Sequence, residues 1–219
     1  MKKTYVIGDI HGCHVALDRL LEKIAPTPGT DTIITLGDMI NRGPDSSKVL
    51  ETLIQLRLEN YLVIALKGNH EFMFLDYLSG RNQNFFLING GEMTIKNYNI
   101  NNPFLKNSLR KIPDKHIQFL HNLLPYWEDE TYIYVHAGLQ PGVKLTKQST
   151  DWLYWARNNF IDEQYDYGKR VIFAHTPFGE PLIQENKVGI DTGAVYGGKL
   201  TCLILPDFEF VSVDGLKKR

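Results

Sequence analysis

Short apolar runs at Thr4 to Ile7, Thr32 to Leu36 and Leu62 to Leu66 alternate with helical patterns near His14 to Ile24 and Ser46 to Leu58. This βαβαβ opening leaves few architectures available. In the first helix Leu17, Leu20, Leu21 and Ile24 recur at i, i+3, i+4 and i+7, a single apolar stripe that must be buried. The strands are almost continuously apolar, which is expected when both faces of a sheet are covered. The second helix follows Pro44, with Asp45 or Ser46 as its N-cap.

From Glu71 to about Leu124 the pattern is helical but irregular, interrupted by the Asn- and Gly-containing stretches Asn82 to Asn84, Asn89 to Gly91 and Asn97 to Asn102. It reads as an inserted helical cap. Strands then dominate at Thr131 to Val135, Arg170 to Ala174, Val188 to Asp191, Leu200 to Leu205 and Phe208 to Val213. The expected whole is a layered α/β sandwich in one domain spanning 1–219, without internal repeats or a separating linker.

Charge and cysteine content narrow the function classes. With 219 residues, 22% charged and a net charge of -1, the chain lacks the basic footprint of a nucleic-acid binder; the basic tail Lys217, Lys218, Arg219 reads as a solvated terminus. Cys13 and Cys202 are too few for a disulfide framework or a thiolate metal site, and both are expected as packed free thiols. No apolar run approaches the roughly 18 residues of a membrane span, and no signal-peptide pattern precedes the first strand. A cytoplasmic monomer with no membrane or nucleic-acid partner is expected.

The residues that carry chemistry sit just beyond predicted strand ends. Asp9 and His11 follow the first strand, Asp38 the second, Asn69 the third, His136 the strand ending at Val135, and His175 the strand ending at Ala174. In an open α/β sheet the crevice past the carboxyl ends of strands is where ligands bind, so separate segments aim at one place. Carboxylate, imidazole and amide without thiolate suit borderline or harder divalent ions such as manganese, iron or zinc. Ordinary βα turns with polar caps explain any one motif alone, but not all of them together.

Gly8-Asp9-Ile10-His11-Gly12, Gly37-Asp38-Met39-Ile40-Asn41-Arg42-Gly43, Gly68-Asn69-His70-Glu71 and His136-Ala137-Gly138 together resemble the calcineurin-like metallophosphoesterases. More narrowly, the chain resembles the short bacterial and phage-type serine/threonine branch of the phosphoprotein phosphatases. Asp191-Thr192-Gly193-Ala194 and Gly198-Lys199-Leu200-Thr201 resemble that branch's late strand segment. The resemblance implies an αββα-type metallophosphoesterase sandwich. It implies one metal held by Asp9, His11 and Asp38, and a second held by Asp38, Asn69, His136 and His175, with manganese the expected ion and iron or zinc the alternatives. A bridging carboxylate can span two cations about 3.5 to 4 Å apart, and such a pair can hold a water deprotonated near neutral pH for in-line attack on phosphorus.

By position, the resemblance makes Arg42 a phosphate clamp and Arg157, within Trp155-Ala156-Arg157, a second one. His70 becomes the general acid for the leaving oxygen. Two departures stand out. Family members carry Asp where this chain has Asn41, the residue that orients the histidine. Asn41 is expected to accept from the imidazole without stabilising imidazolium, giving a slower enzyme or an acid-shifted profile, which Asn41→Asp would test. Ala174 replaces the usual Gly before the last histidine.

Other residues have plainer readings. His14, His116 and His121 match no motif and stay outside the site as surface or helix residues. Arg157 has a competing reading as a surface residue of a helix whose apolar face holds Trp152 and Trp155. Glu71 reads as an ion-pair partner or support for its histidine neighbour rather than as a ligand, and Asp191 as either a turn residue or a site neighbour.

The leading expectation is a phosphomonoesterase acting on phosphoserine or phosphothreonine in proteins, with a small phosphoester as the other class of substrate. A symmetrical dinucleoside tetraphosphatase or other nucleotide phosphohydrolase is the alternative. A catalytically impaired phosphate-binding module, motivated by Asn41 alone, is the third.

Overall fold

A computed structural model describes residues 2–102, 104 and 106–217; Lys218 and Arg219 of the basic tail lie outside the described residues. Two five-stranded sheets form the centre. The first comprises β1 (Thr4–Ile7), β2 (Thr32–Thr35), β3 (Leu62–Ala65), β9 (Lys199–Leu205) and β10 (Glu209–Asp214), in the order β10-β9-β1-β2-β3. The second comprises β4 (Tyr126–Glu128), β5 (Tyr132–Val135), β6 (Arg170–Phe173), β7 (Leu182–Ile183) and β8 (Lys187–Gly189), in the order β4-β5-β6-β8-β7. β1, β2 and β3 are parallel, as are β5, β6 and β8, so each sheet delivers several carboxyl ends to the same edge.

The strand period of two divides the apolar residues into three layers. Val6, Ile34, Leu203, Tyr134, Ile172 and Val188 turn inward and fill the space between the sheets. Their neighbours Tyr5, Ile7 and Ile33 turn outward onto α1 (His14–Ile24) and α2 (Ser46–Leu58). Ile133, Val135, Val171 and Phe173 turn to the opposite outside, onto α7 (Thr150–Trp155) and α8 (Asn158–Ile161). The αββα layering expected from the family resemblance is therefore the observed one, and it explains the unbroken apolar strands.

Between β3 and β4 lie α3 (Asn69–Leu78), α4 (Gln83–Phe86), a π-helical turn (Leu87–Gly91), α5 (Glu92–Asn97), a 3₁₀ segment (Lys106–Lys111) and α6 (Asp114–His121). The π turn breaks at Asn89 and Gly90, which have non-helical dihedrals. Phe74, Tyr77 and Phe86 stack inside this insertion, with ring centroids 4.8 to 6.2 Å apart. No helix among the described residues is long and apolar enough to cross a membrane.

Sequence periodicity missed β4 and β7. Both are short edge strands of the second sheet, too brief for alternation to register. Asp45 occupies the N-cap position of α2 but its side chain makes no capping bond; it pairs with Lys48 at 2.9 Å instead.

Candidate metal centre and phosphate site

Six strand ends converge on one buried cluster. Asp9 and His11 follow β1, Asp38 follows β2, and Asn69 begins α3 just past β3. From the other sheet come His136 after β5, His175 after β6 and Asp191 after β8. All seven are buried. The β1 and β2 loops are bolted together by backbone bonds from Ile10 N and His11 N to Asp38 O and from Gly12 N to Met39 O, 2.8 to 3.1 Å long.

These turns are tight. His11, Asp38, Asn41, Arg42 and His175 all have positive φ, between 46° and 70°. Asp, Asn and His are the side chains that tolerate this region best, which is why the cluster can be built from them. Gly68 is required for a different reason, since a Cβ there would collide with the carboxylate of Asp38.

Glu71 holds the loop that carries Asp38. Its carboxylate accepts from the backbone N–H groups of Gly68, Asp38, Met39 and Ile40 at 2.8 to 3.3 Å. This corrects the expectation of an ion pair or of support for the neighbouring histidine: the side chain organises backbone. Burial, then the nearby Asp38 charge, pushes its carboxyl up to about 7.

The imidazoles have their lone pairs aimed inward. His136 Nδ1 bonds Leu36 O at 2.9 Å and His11 Nδ1 bonds Ile40 O at 3.0 Å, so each Nε2 lacks a hydrogen. His136 Nε2 then faces Asn69 Oδ1 at 3.0 Å, His175 Nδ1 at 3.1 Å and Asp38 Oδ1 at 3.5 Å. His11 Nε2 lies 3.5 Å from Asp38 Oδ2 and 3.9 Å from Asp9 Oδ2. Lone pairs crowded at such distances repel unless a cation stands among them.

Burial depresses the pKa of every imidazole here, with His136 brought down to about 4, which keeps the rings neutral and able to donate electron pairs. Burial likewise raises Asp38 to about 7, and burial followed by the Asp191 and Asp38 charges raises Asp9 well above the carboxylate range. Asp9 Oδ1 and His175 Nε2 are buried without a hydrogen-bond partner. The donor set fits divalent cations. Among the described residues two overlapping groups could each hold an ion: Asp38, His136 and His175, and His11, Asp38 and His70.

Two arginines stand at the cluster. Arg42 Nη1 donates to His11 Nε2 at 2.6 Å, and its guanidinium lies over the exposed Tyr196 ring at 5.5 Å. Arg157 is exposed, stands at the N-cap position just before α8 rather than on a helix face, and lies 3.4 Å from Thr176 Oγ1. Asp191 fills both of its alternatives: Oδ1 accepts from Gly193 N at 2.9 Å in a turn, and the carboxylate contributes to the Asp9 field.

His14, His116 and His121 lie outside the cluster, as expected. His116 is a helix residue, on α6, and is buried, joining Tyr98 Oη at 2.8 Å to Glu51 Oε2 at 2.9 Å. Cys13 is a packed thiol, pushed up to about 12 by burial. The amide of Asn41 is turned the other way from the expectation: its Nδ2, not its oxygen, lies 2.8 Å from His70 Nδ1. The oxygen is occupied by Thr94 Oγ1 at 2.7 Å. Thr94 is a site neighbour that sequence inspection missed, because nothing local marks a threonine 53 residues away from its partner.

Residues 2–198 match the model of the calcineurin-like phosphoesterase family. The chain belongs to that family and is a phosphoester hydrolase. It is 30% identical to an asymmetrical bis(5'-nucleosyl)-tetraphosphatase PrpE from Bacillus cereus (strain Q1), covering 96% of this chain and 94% of the relative. It is equally 30% identical to serine/threonine-protein phosphatase 1 of Salmonella typhimurium, covering 91% and 90%. Among solved structures, a putative diadenosine tetraphosphatase superposes with a TM-score of 0.75 at 22% identity, covering 99% of this chain and 95% of that one.

Proposed function

We propose that the chain is a phosphomonoesterase dependent on two divalent metal ions, manganese foremost, acting on phosphoserine or phosphothreonine in proteins. The observation that supports this best is the convergence on Asp38 of lone-pair atoms from both sheets, His11 on one side and His136 on the other, each 3.5 Å away. Asp9, His11 and Asp38 would hold one ion, and Asp38, Asn69, His136 and His175 the other. His70 is left out despite its place in a possible ligand group. With an amide N–H facing Nδ1, its hydrogen belongs on Nε2, so that nitrogen has no lone pair for a metal.

Bound there, the ions supply charge neutralisation and an acidified water. Arg42 and Arg157 bring guanidinium groups to the nonbridging oxygens of the phosphoryl group. His70 Nε2, buried without a partner, presents its hydrogen to the ester oxygen that leaves.

A second reading, a dinucleoside tetraphosphatase, draws support from the tetraphosphatase relatives. The test is hydrolysis of p-nitrophenyl phosphate, phosphopeptides and diadenosine tetraphosphate by metal-stripped protein, with and without manganese, alongside Asp38→Asn. Manganese-dependent release of phosphate, strongest on phosphoserine peptides and lost in Asp38→Asn, is the expected result. Preference for the dinucleotide would replace the protein substrate, and its products would tell symmetrical from asymmetrical cleavage. No turnover on any substrate with metal bound would overturn the reading.

A further inference from the structure

Beyond α3, the helical insertion places a hydroxyl in the interior of the site. Thr94 on α5, Asn41 in the β2 loop and Ser46 at the start of α2 are all fully buried. The backbone N–H of Asn41 donates to both hydroxyls, to Ser46 Oγ at 3.0 Å and Thr94 Oγ1 at 3.1 Å. The single hydrogen of Thr94 has two acceptors within reach, Asn41 Oδ1 at 2.7 Å and Ser46 Oγ at 2.9 Å, and the shorter contact is to the amide. The other end of that amide, Nδ2, lies 2.8 Å from His70 Nδ1.

We infer that Thr94 is a positioning residue: its hydroxyl pins the Asn41 amide so that the NH₂ group faces His70 Nδ1, which keeps the His70 hydrogen on Nε2, toward the reacting phosphate. The inference rests on the reading of His70 as the donor to the leaving oxygen. Rotating the amide would take Asn41 Oδ1 away from the Thr94 hydroxyl and set the hydrogen on Nδ1, stripping Nε2 of its hydrogen. That rotation needs the Thr94 hydroxyl to turn its hydrogen to Ser46 Oγ, the longer of its two contacts, and to accept a second N–H besides that of the Asn41 backbone, so the direction of this one hydrogen decides which end of the amide faces His70. The ring plane is held independently. His70 lies edge to face against His11 with centroids 4.7 Å apart, and its backbone N–H donates to Asp38 Oδ1 at 3.0 Å.

This arrangement does what a carboxylate at position 41 would not. A carboxylate accepts from Nδ1 and offers no hydrogen to it, whereas the pinned amide offers only hydrogens. His70 therefore stabilises negative charge on the departing oxygen by a hydrogen bond from Nε2–H. Such help matters most when the leaving group is a poor one, as an alkoxide or an unsubstituted phenoxide is, and least for p-nitrophenoxide.

The test is the tautomer of His70 together with a leaving-group series. In zinc-loaded protein labelled with ¹⁵N at histidine, long-range ¹H–¹⁵N correlation is expected to show His70 with its hydrogen on Nε2. A hydrogen on Nδ1 in the wild type overturns the inference without any variant being made. In Thr94→Val, which keeps the shape and removes the hydroxyl, the Nδ1–H form is expected to appear. There kcat for phenyl phosphate should fall about tenfold, the value of one buried hydrogen bond, with KM little changed. p-Nitrophenyl phosphate should lose about twofold or less, since its leaving group needs the least stabilisation. Thr94→Ser, which restores the hydroxyl, should recover both the tautomer and the phenyl phosphate rate. An equal fall on every ester, or an unchanged tautomer in Thr94→Val, would make Thr94 a packing residue only and overturn the inference. His70→Asn separates the two layers: if it keeps the wild-type dependence on leaving group, the donor role of His70 fails, whatever the tautomer spectrum shows.

Discussion

The loops that end β1, β2 and β3 and the helical insertion that follows them border the same site, but they are built in different ways. The loops are buried, turn through positive φ at His11, Asp38, Asn41 and Arg42, and have their backbone donors tied to one another and to Glu71. The insertion carries exposed Phe85, Ile88 and Phe104 and breaks its helix at Asn89 and Gly90. The candidate metal ligands sit on the part that cannot move without losing buried hydrogen bonds, and the exposed apolar side chains sit on the part that can. The insertion is nevertheless not merely a cover. Gly90 O accepts from Arg42 N at 3.0 Å, and Thr94 enters the Asn41 network.

The contrast can be broken most severely at its rigid side. Asp38→Asn should reduce turnover by at least about a thousandfold, as expected when a group that assembles the whole site is lost, and metal titration should show weaker binding at both positions. A fall confined to KM would show that Asp38 does not organise the centre. Glu71→Gln should come next, costing about 3 kcal/mol of stability by calorimetry or urea unfolding, because an NH₂ group replaces one of the two oxygens that accept backbone N–H groups and sets donor against donor in a buried position. A loss under about 1 kcal/mol would mean that the Asp38 loop is held by its other contacts.

On the insertion side, Gly90→Val tests whether the cap sets the position of Arg42. Gly90 has φ +91°, and a Cβ there would stand 2.7 Å from Arg42 Cγ. We expect kcat/KM to fall about tenfold, with only about 1–2 kcal/mol of backbone strain in the melting temperature. Unchanged kinetics would detach the insertion from the clamp. The smallest effect belongs to Glu51, whose carboxylate on α2 meets Lys115 and His116 of α6. The hydrogen bonds from Lys115 and then His116 lower its pKa from the ordinary 4.5. Its contribution is thus present above pH 4.5 and lost as pH falls through the folded value. Solvent screening holds it below about 1 kcal/mol, so Glu51→Gln should shift urea midpoints slightly at pH 7 and not at all in strong acid.

The sequence alone determined the framework of this molecule: α1 and α2 to the residue, the three opening strands to within one residue at their ends, and the metal-type side chains beyond them. Those signals are local. A helix stripe, an apolar run and a Gly-Asp turn are each complete within a few residues, and the pattern Gly8 to Gly12 says the same thing wherever it folds. The tertiary structure alone decided which way the Asn41 amide turns, that Glu71 serves backbone rather than a side chain, and that Thr94, Gly90 and Asp191 belong to the surroundings of the site. Each of those depends on which atoms meet across the fold, between the insertion and a loop or between one sheet and the other, and a hydrogen bond between residues 53 positions apart leaves no periodicity for a sequence to display.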